Sequence, residues 1–185
     1  MIKTTPTPQR LIEAALETLK TAGFAGATSR AIARAADVNQ ALVFYYFGSL
    51  DGLLLAALDA TSEARLERYR EGVESAESVD DLVALAGELY EEDRRAGHIT
   101  VVAQMVAGSL ARPELAPEVL ARMEPWLALC REAFEKVDGG ATLPARELAV
   151  AAVTFYLGLN LLTHLDPERA RQMFEGLLAV APLPR

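Results

Sequence analysis

Residues 39–47 read Asn-Gln-Ala-Leu-Val-Phe-Tyr-Tyr-Phe, two amides followed within a few positions by a cluster of aromatic rings. On a helix, Val43 and Phe47 stand four apart and can share one buried face. Neighbouring positions lie about 100° apart around the axis. Phe44, Tyr45 and Tyr46 therefore cannot all turn inward with them, and exposed rings that carry hydroxyls need a partner. Tyrosine hydroxyls reach phosphate oxygens, while the rings lie against thymine methyls and sugars. The chemistry this run offers is contact with double-stranded DNA.

Such a surface needs elements to hold it. A first helix is expected from Pro8, with Thr7 as its N-cap and Pro8 in the first turn. Leu11, Ile12, Ala15, Leu16 and Leu19 fall on one face. Gly23 should end it, with Phe24 turning back to the core. A second, short helix is expected over about Ser29–Ala36, capped by Thr28 and lined by small residues for close packing. Asp37 and Val38 form a tight turn, and Asn39 caps a third helix over roughly Gln40–Phe47. Two short helices joined by such a turn and braced by a third make a helix-turn-helix, whose second helix fits the major groove.

The run Gly23-Phe24, then Ala27-Thr28-Ser29-Arg30-Ala31-Ile32-Ala33, then Asp37 through Phe47, then Ser49 and Leu53 resembles the N-terminal domain of the tetracycline-repressor (TetR) family over about residues 8–55. The resemblance implies an all-α fold of about nine helices: a three-helix, homeodomain-like helix-turn-helix followed by a helical dimerisation and ligand-binding domain. It also implies roles for single residues. Thr28, Ser29 and Arg30 would lie at the phosphate-contacting start of the second helix. Asn39 and Gln40 open the reading helix, and Gln40 would bond adenine or a phosphate. Ala41 permits close approach, Leu42 would touch a thymine methyl, and Phe44, Tyr45 and Tyr46 occupy aromatic contact positions. The chain departs from the pattern in places. Phe44 stands where Tyr is usual, Leu50 where a phosphate-binding Lys is common, Asp37 where Gly is usual, and Gly52 where an acid is frequent. Each lost phosphate contact flattens the log–log salt dependence by about 0.9.

Composition frames this reading. The 185 residues are 51% hydrophobic with a net charge of -8. Residues 1–52 hold Lys3, Arg10, Lys20, Arg30 and Arg34 against four acids, so the acidic excess lies in residues 53–185. A polyanion would be steered to the first segment and repelled by the second. The domain boundary is accordingly expected after residue 52, with residues 53–185 serving effector binding and dimerisation. Cys130 is the single cysteine, which suits a reducing compartment. Met1–Arg10 is polar, without the apolar core of a signal peptide. The fifteen-residue stretch Leu148–Leu162 contains Thr154 and Asn160 and reads as too short for a membrane span. A cytoplasmic protein is expected.

The fourth helix is expected to run unbroken from Ser49 to about Glu71, with Glu63, Arg65, Glu67 and Arg68 as a solvated face. Further helices are expected over Val79–Ala96, His98–Leu110, Glu118–Val137 (stopped by Gly139-Gly140), Pro144–Leu165 and from Pro167 to about Val180, with a loose tail from Pro182. The run Glu91–Arg95 reads as solvated charge, and His98 as exposed. Leu148–Leu162 is apolar nearly all round and must be covered on all sides. A homodimer through about residues 144–180 would cover it and would present two reading helices to a palindromic operator. Tyr90, Gln104, Met105, Trp126, Cys130, Phe134, Phe155 and Asn160 are polar or soft groups within apolar helices and are candidate ligand-lining residues. Buried amides such as Gln104 and Asn160 require hydrogen-bond partners. His98 and His164 lack metal-type spacing, so neither a metal nor a cofactor is expected. No phosphate-binding Gly loop or nucleophile elbow marks an enzyme. Two alternatives stay open: a DNA-binding helical protein without an effector, and an all-helical enzyme using a C-terminal cavity.

Overall fold

The structure, a computed structural model, describes residues 6–136 and 143–180. Every regular element among the described residues is helical: α1 (Thr7–Gly26), α2 (Ser29–Ala35), α3 (Ala41–Phe47), α4 (Leu50–Ala60), α5 (Glu63–Ser75), α6 (Val79–Ala96), α7 (His98–Ala111), α8 (Ala116–Lys136), α9 (Ala145–Thr163) and α10 (Pro167–Val180), with a 3-10 turn at Pro113–Leu115. The expected helix stop at Gly139-Gly140 and the tail from Pro182 lie outside the described residues. Contacts divide the chain into two compact units. One is the chain up to Glu63 together with Thr100–Arg122; the other is Ala64–Ile99 with Met123 onward.

The first unit is built on α1, which buries Leu11, Ala14, Ala15 and Leu19 and packs against α2 and α4. Ile32 of α2, Val43 of α3 and Leu53 and Leu54 of α4 are fully buried with them. Each such aliphatic side chain contributes about 1.5–3 kcal/mol. The boundary expected after residue 52 falls inside α4, because Leu53, Leu54, Ala57 and Leu58 are all buried in this unit. Two details of α1 differ from expectation. Pro6, not Thr7, occupies the cap position, so no side chain caps the helix. Gly23 ends the regular helix at φ +68°, but helical turns resume to Gly26.

The turn after Gly23 is clasped by α7. Gln104 Oε1 accepts the Phe24 N–H at 2.9 Å. Gly108 lies under the Phe24 ring, where a Cβ would collide with it. The Arg112 guanidinium covers the ring at 4.8 Å and pairs with Asp51 of α4. Gln104 and Gly108 stand four apart on one stripe of α7, and Arg112 follows just beyond the helix end.

The helix expected from Ser49 to Glu71 is interrupted at Thr61–Ser62. Thr61 is 4% exposed, and its hydroxyl donates to the Leu58 carbonyl at 2.8 Å. The Ser62 hydroxyl reaches the same oxygen at 3.4 Å. Side-chain bonding to the carbonyl one turn back competes with the helical ladder at that point.

In the second unit, Tyr69, Val73 and Leu129 form one apolar cluster with Leu85, Leu89 and Trp126 around them. Tyr90, Leu159, Ala170 and Phe174 form another. Ser78 and Asp81 close a capping box at the start of α6, and Gly97 ends that helix in the left-handed conformation. The charge run on α6 is not wholly solvated. Asp93 is 2% exposed; it pairs with Arg65 of α5 and accepts from the Tyr156 hydroxyl of α9 at 2.6 Å. His98, expected to be exposed, is half-buried with Nδ1 3.4 Å from Asp93. Arg65, expected on a solvated face, also lies 5.2 Å from the Trp126 ring. Helix α9 extends beyond the fifteen-residue apolar stretch. At 19 residues it is long and apolar enough to cross a membrane by length and composition alone. Here it packs against α10, and Leu159 and Asn160 are buried.

Candidate nucleic-acid interface

The junction of α2 and α3 is set by backbone bonds. The Val38 N–H reaches the Ala33 carbonyl at 3.0 Å and the Asp37 N–H reaches Arg34 at 3.1 Å. This is the Schellman pair that closes a helix through a left-handed residue, and Asp37 supplies that residue at φ +52°. For an L-residue other than glycine this conformation costs about 1–2 kcal/mol, although Asp tolerates it better than most. Asn39 Oδ1 then accepts the Ala41 N–H at 2.8 Å, which satisfies a free donor at the start of α3. Gly48 ends α3 at φ +72°, and Ser49 caps α4 through the Gly52 N–H at 2.9 Å.

These constraints orient the side chains of α3. Val43 is fully buried, whereas Phe44, Tyr45 and Tyr46 are 49%, 77% and 43% exposed. Tyr45 lies two positions from Val43, about 200° around the helix, and is the most exposed of the three. The Tyr45 and Tyr46 rings meet edge to face, with centroids 4.9 Å apart. Asn39 and Ala41 are exposed, and Leu42 is half-buried. The result is one outward surface of an amide, small residues, two phenols and a benzyl ring, with the exposed Arg30 and Arg34 on neighbouring α2.

Thr28 is spent on structure: its hydroxyl accepts the Ala31 N–H at 3.2 Å and caps α2. Gln40 Nε2 donates to the Ser29 hydroxyl at 2.7 Å, tying α3 to α2. Reading the sequence missed Arg10, whose Nη2 donates to the carbonyls of Ala36 at 2.5 Å and Asp37 at 3.2 Å. A lone arginine in the first turn of a helix carries no signal of such a reach. The ties of Gln104 to Phe24 and of Arg112 to Asp51 within the first unit were also missed, since they join residues far apart in sequence.

The eight candidate ligand-lining residues divide between the units. Gln104 and Met105 belong to the first; Gln104 is engaged by Phe24 and Met105 is fully buried. In the second, Tyr90 stacks on Phe174 with centroids 4.2 Å apart. Phe155 packs against that cluster, and Trp126 packs on the Tyr69 cluster. Asn160 donates to the Tyr156 carbonyl at 3.0 Å. Phe134 is half-buried. Cys130 is partly buried, and burial pushes its thiol up to about 11. An open concavity of about 820 Å³ between α5 and α6 is lined by Arg68, Tyr69, Gly87, Glu88, Glu92 and Arg95 among others, and by none of the eight.

Residues 11–57 match the family model of bacterial regulatory proteins, tetR family. The HTH-type transcriptional regulator UidR of Escherichia coli (strain K12) is 28% identical over 111 residues, 60% of this chain and 56% of that protein. The match thus spans little more than half the length of this relative. The HTH-type transcriptional regulator BetI 1 of Chromohalobacter salexigens is 39% identical over 71 residues, 36% of this chain and 35% of that protein. The transcriptional regulator FadR from Bacillus subtilis, solved in complex with stearoyl-CoA, shares the fold. Its TM-score is 0.77 at 13% identity, covering 95% of this chain and 99% of that one.

Proposed function

We propose that this chain, whose N-terminal domain belongs to the TetR family, is a sequence-specific DNA-binding transcription regulator that acts as a homodimer on a palindromic operator. The observation that carries this reading is the outward face of α3, where Phe44, Tyr45 and Tyr46 stand exposed while Val43 of the same short helix is fully buried. Exposed aromatic surface beside an amide and arginines suits a DNA groove, where rings meet thymine methyls and hydroxyls meet phosphates. Asn39, Gln40, Ala41 and Leu42 complete the reading surface, with Thr28, Ser29 and Arg30 at its phosphate side.

A second copy fits α9. Val150 is 50% exposed, Leu161 55% and Leu165 84%. With the exposed Ala151, Thr154 and Gly158, they follow helical spacing along one face. On α10, Met173 is 47% exposed. Pairing through residues 144–180 would bury this face and set two reading helices one DNA turn apart. A leucine-to-charge change, Leu161→Glu, would then leave the chain monomeric in sedimentation.

Repression lifted by a small molecule is the mode this family reading favours. The effector must bind the DNA-incompetent state more tightly than the competent one. Regulation of transcription places the protein in the cytoplasm and assigns it no catalytic role. A second reading, DNA binding without an effector, is favoured by one observation. Tyr90 and Met105, two of the candidate lining residues, are packed as core. Thermal-shift screening separates the two, since a ligand at about 100 times its Kd adds about 2.7 kcal/mol of stability.

The direct test is a gel shift with DNA from upstream of the chain's own gene. A sequence-specific complex that weakens with added salt supports the proposal; failure to bind any such fragment specifically counts against it.

A further inference from the structure

We infer that Arg10 is a positioning residue for the recognition helix: its guanidinium holds the α2–α3 turn in the left-handed form that Asp37 resists. The inference rests on the DNA-binding reading of α3.

The need for a tether follows from the lengths involved. Helices α2 and α3 are 7 residues each, too short to be stable on their own. The angle between them depends on the turn, and the turn depends on Asp37 at φ +52°. Glycine would adopt that conformation freely; aspartate does so against a steric penalty. The Asp37 side chain does not compensate by capping, because it is fully exposed and its closest charged neighbour is Arg10 at 3.9 Å. The compensation comes from α1. One nitrogen of Arg10 donates to both the Ala36 and the Asp37 carbonyls, the oxygens on either side of the left-handed residue. A rotation of Asp37 back to negative φ would swing at least one of these carbonyls away. It would also break the Val38–Ala33 bond that starts the approach to α3. Helix α1 is firmly seated by Leu11, which is fully buried one residue beyond Arg10, so the tether is anchored in the core.

The test is a double-mutant cycle on the full chain with Arg10→Met and Asp37→Gly, singly and together, after circular dichroism has shown each to be helical. The probe is a duplex enriched by the wild-type chain from a randomised pool. Arg10→Met should weaken binding about tenfold, the scale of losing hydrogen bonds from a charged donor. The slope of log affinity against log salt should stay unchanged, because Arg10 bonds the turn and not the phosphates. Adding Asp37→Gly should restore most of the affinity, since glycine holds the left-handed turn without help. Thermal melts should show the same pattern, with Arg10→Met lowering Tm clearly in the wild-type background and little beside Asp37→Gly. A salt slope lower by about 0.9 would mark Arg10 as a phosphate contact and overturn the inference. Equal losses in both backgrounds, in affinity or in Tm, would also overturn it. If the wild-type chain enriches no duplex, the DNA reading fails instead, and the Tm cycle alone decides the tether.

Discussion

Gln40 and Ser29 are joined across the two short helices of the first unit: Gln40 Nε2 donates to the Ser29 hydroxyl at 2.7 Å. One of the two N–H donors on the amide nitrogen that would complete a two-point pairing with adenine is therefore already engaged. The hydroxyl, accepting from Gln40, keeps its own proton to donate. Ser29→Ala and Gln40→Ala should accordingly be coupled. Their combined effect on DNA affinity, measured by fluorescence anisotropy, should differ from the sum of the single effects by about 1 kcal/mol. Strict additivity would mean that the bridge does not persist on DNA.

Tyr45 is 77% exposed, so its hydroxyl does nothing for the fold. Tyr45→Phe should leave Tm unchanged and weaken DNA binding by about 0.5–1.5 kcal/mol, the net worth of one hydrogen bond. A change in Tm with unaltered binding would assign the ring to packing.

Helices α1 to α3 were largely legible in the sequence, and the reason is local. Caps at Thr28 and Ser49, the left-handed Asp37 and the breaks at Gly23 and Gly48 act within a few residues of themselves, as does the outward turn of Tyr45; Asn39 was expected to cap α3, but Gln40 holds that position and Asn39 bonds the Ala41 N–H. The missed features act at long range. Arg10 reaches the far side of the α2–α3 turn, and Gln104 meets Phe24 across 80 positions. Asp93 was misread by its company. It sits in a charged run, yet helical spacing puts it on the face of Tyr90, three positions earlier, and that face is buried. The break at Thr61–Ser62 was hidden because both residues are tolerated in helices when their side chains point to solvent.

Asp93 joins α5, α6 and α9. It is 2% exposed, and the Arg65 side chain that pairs with it is 13% exposed. Asp93→Ala takes the nearer of two carboxylates from a largely buried cation, leaving it Glu92 at 4.0 Å, and removes the acceptor of the Tyr156 hydroxyl. The expected loss is about 3–5 kcal/mol in urea unfolding. Asp93→Asn keeps an acceptor for Tyr156 and should cost less. Burial, reinforced by the Asp93 carboxylate, holds the Tyr156 phenol well above its ordinary range, so that hydroxyl stays a donor at all working pH values.

Cys130 is raised from its ordinary 9.0 to about 11 by burial. The protonated thiol is the form the fold favours. Its contribution to stability is complete below the unfolded value near 9.0 and is lost as pH rises through about 11. The thiolate is the reactive species, so alkylation by iodoacetamide at pH 8 should be far slower in the folded chain than in urea. Equal rates in the two states would contradict the burial.

The central claim is that α3 reads DNA in two symmetric copies, and the most direct measurement is selection of bound duplexes from a randomised pool by the purified chain. The account predicts enrichment of an inverted repeat whose half-site centres lie about 34–36 Å, or a whole multiple of that, apart, bound with an affinity that falls steeply as salt rises. A pool that emerges without a shared motif, or binding indifferent to salt, would contradict it.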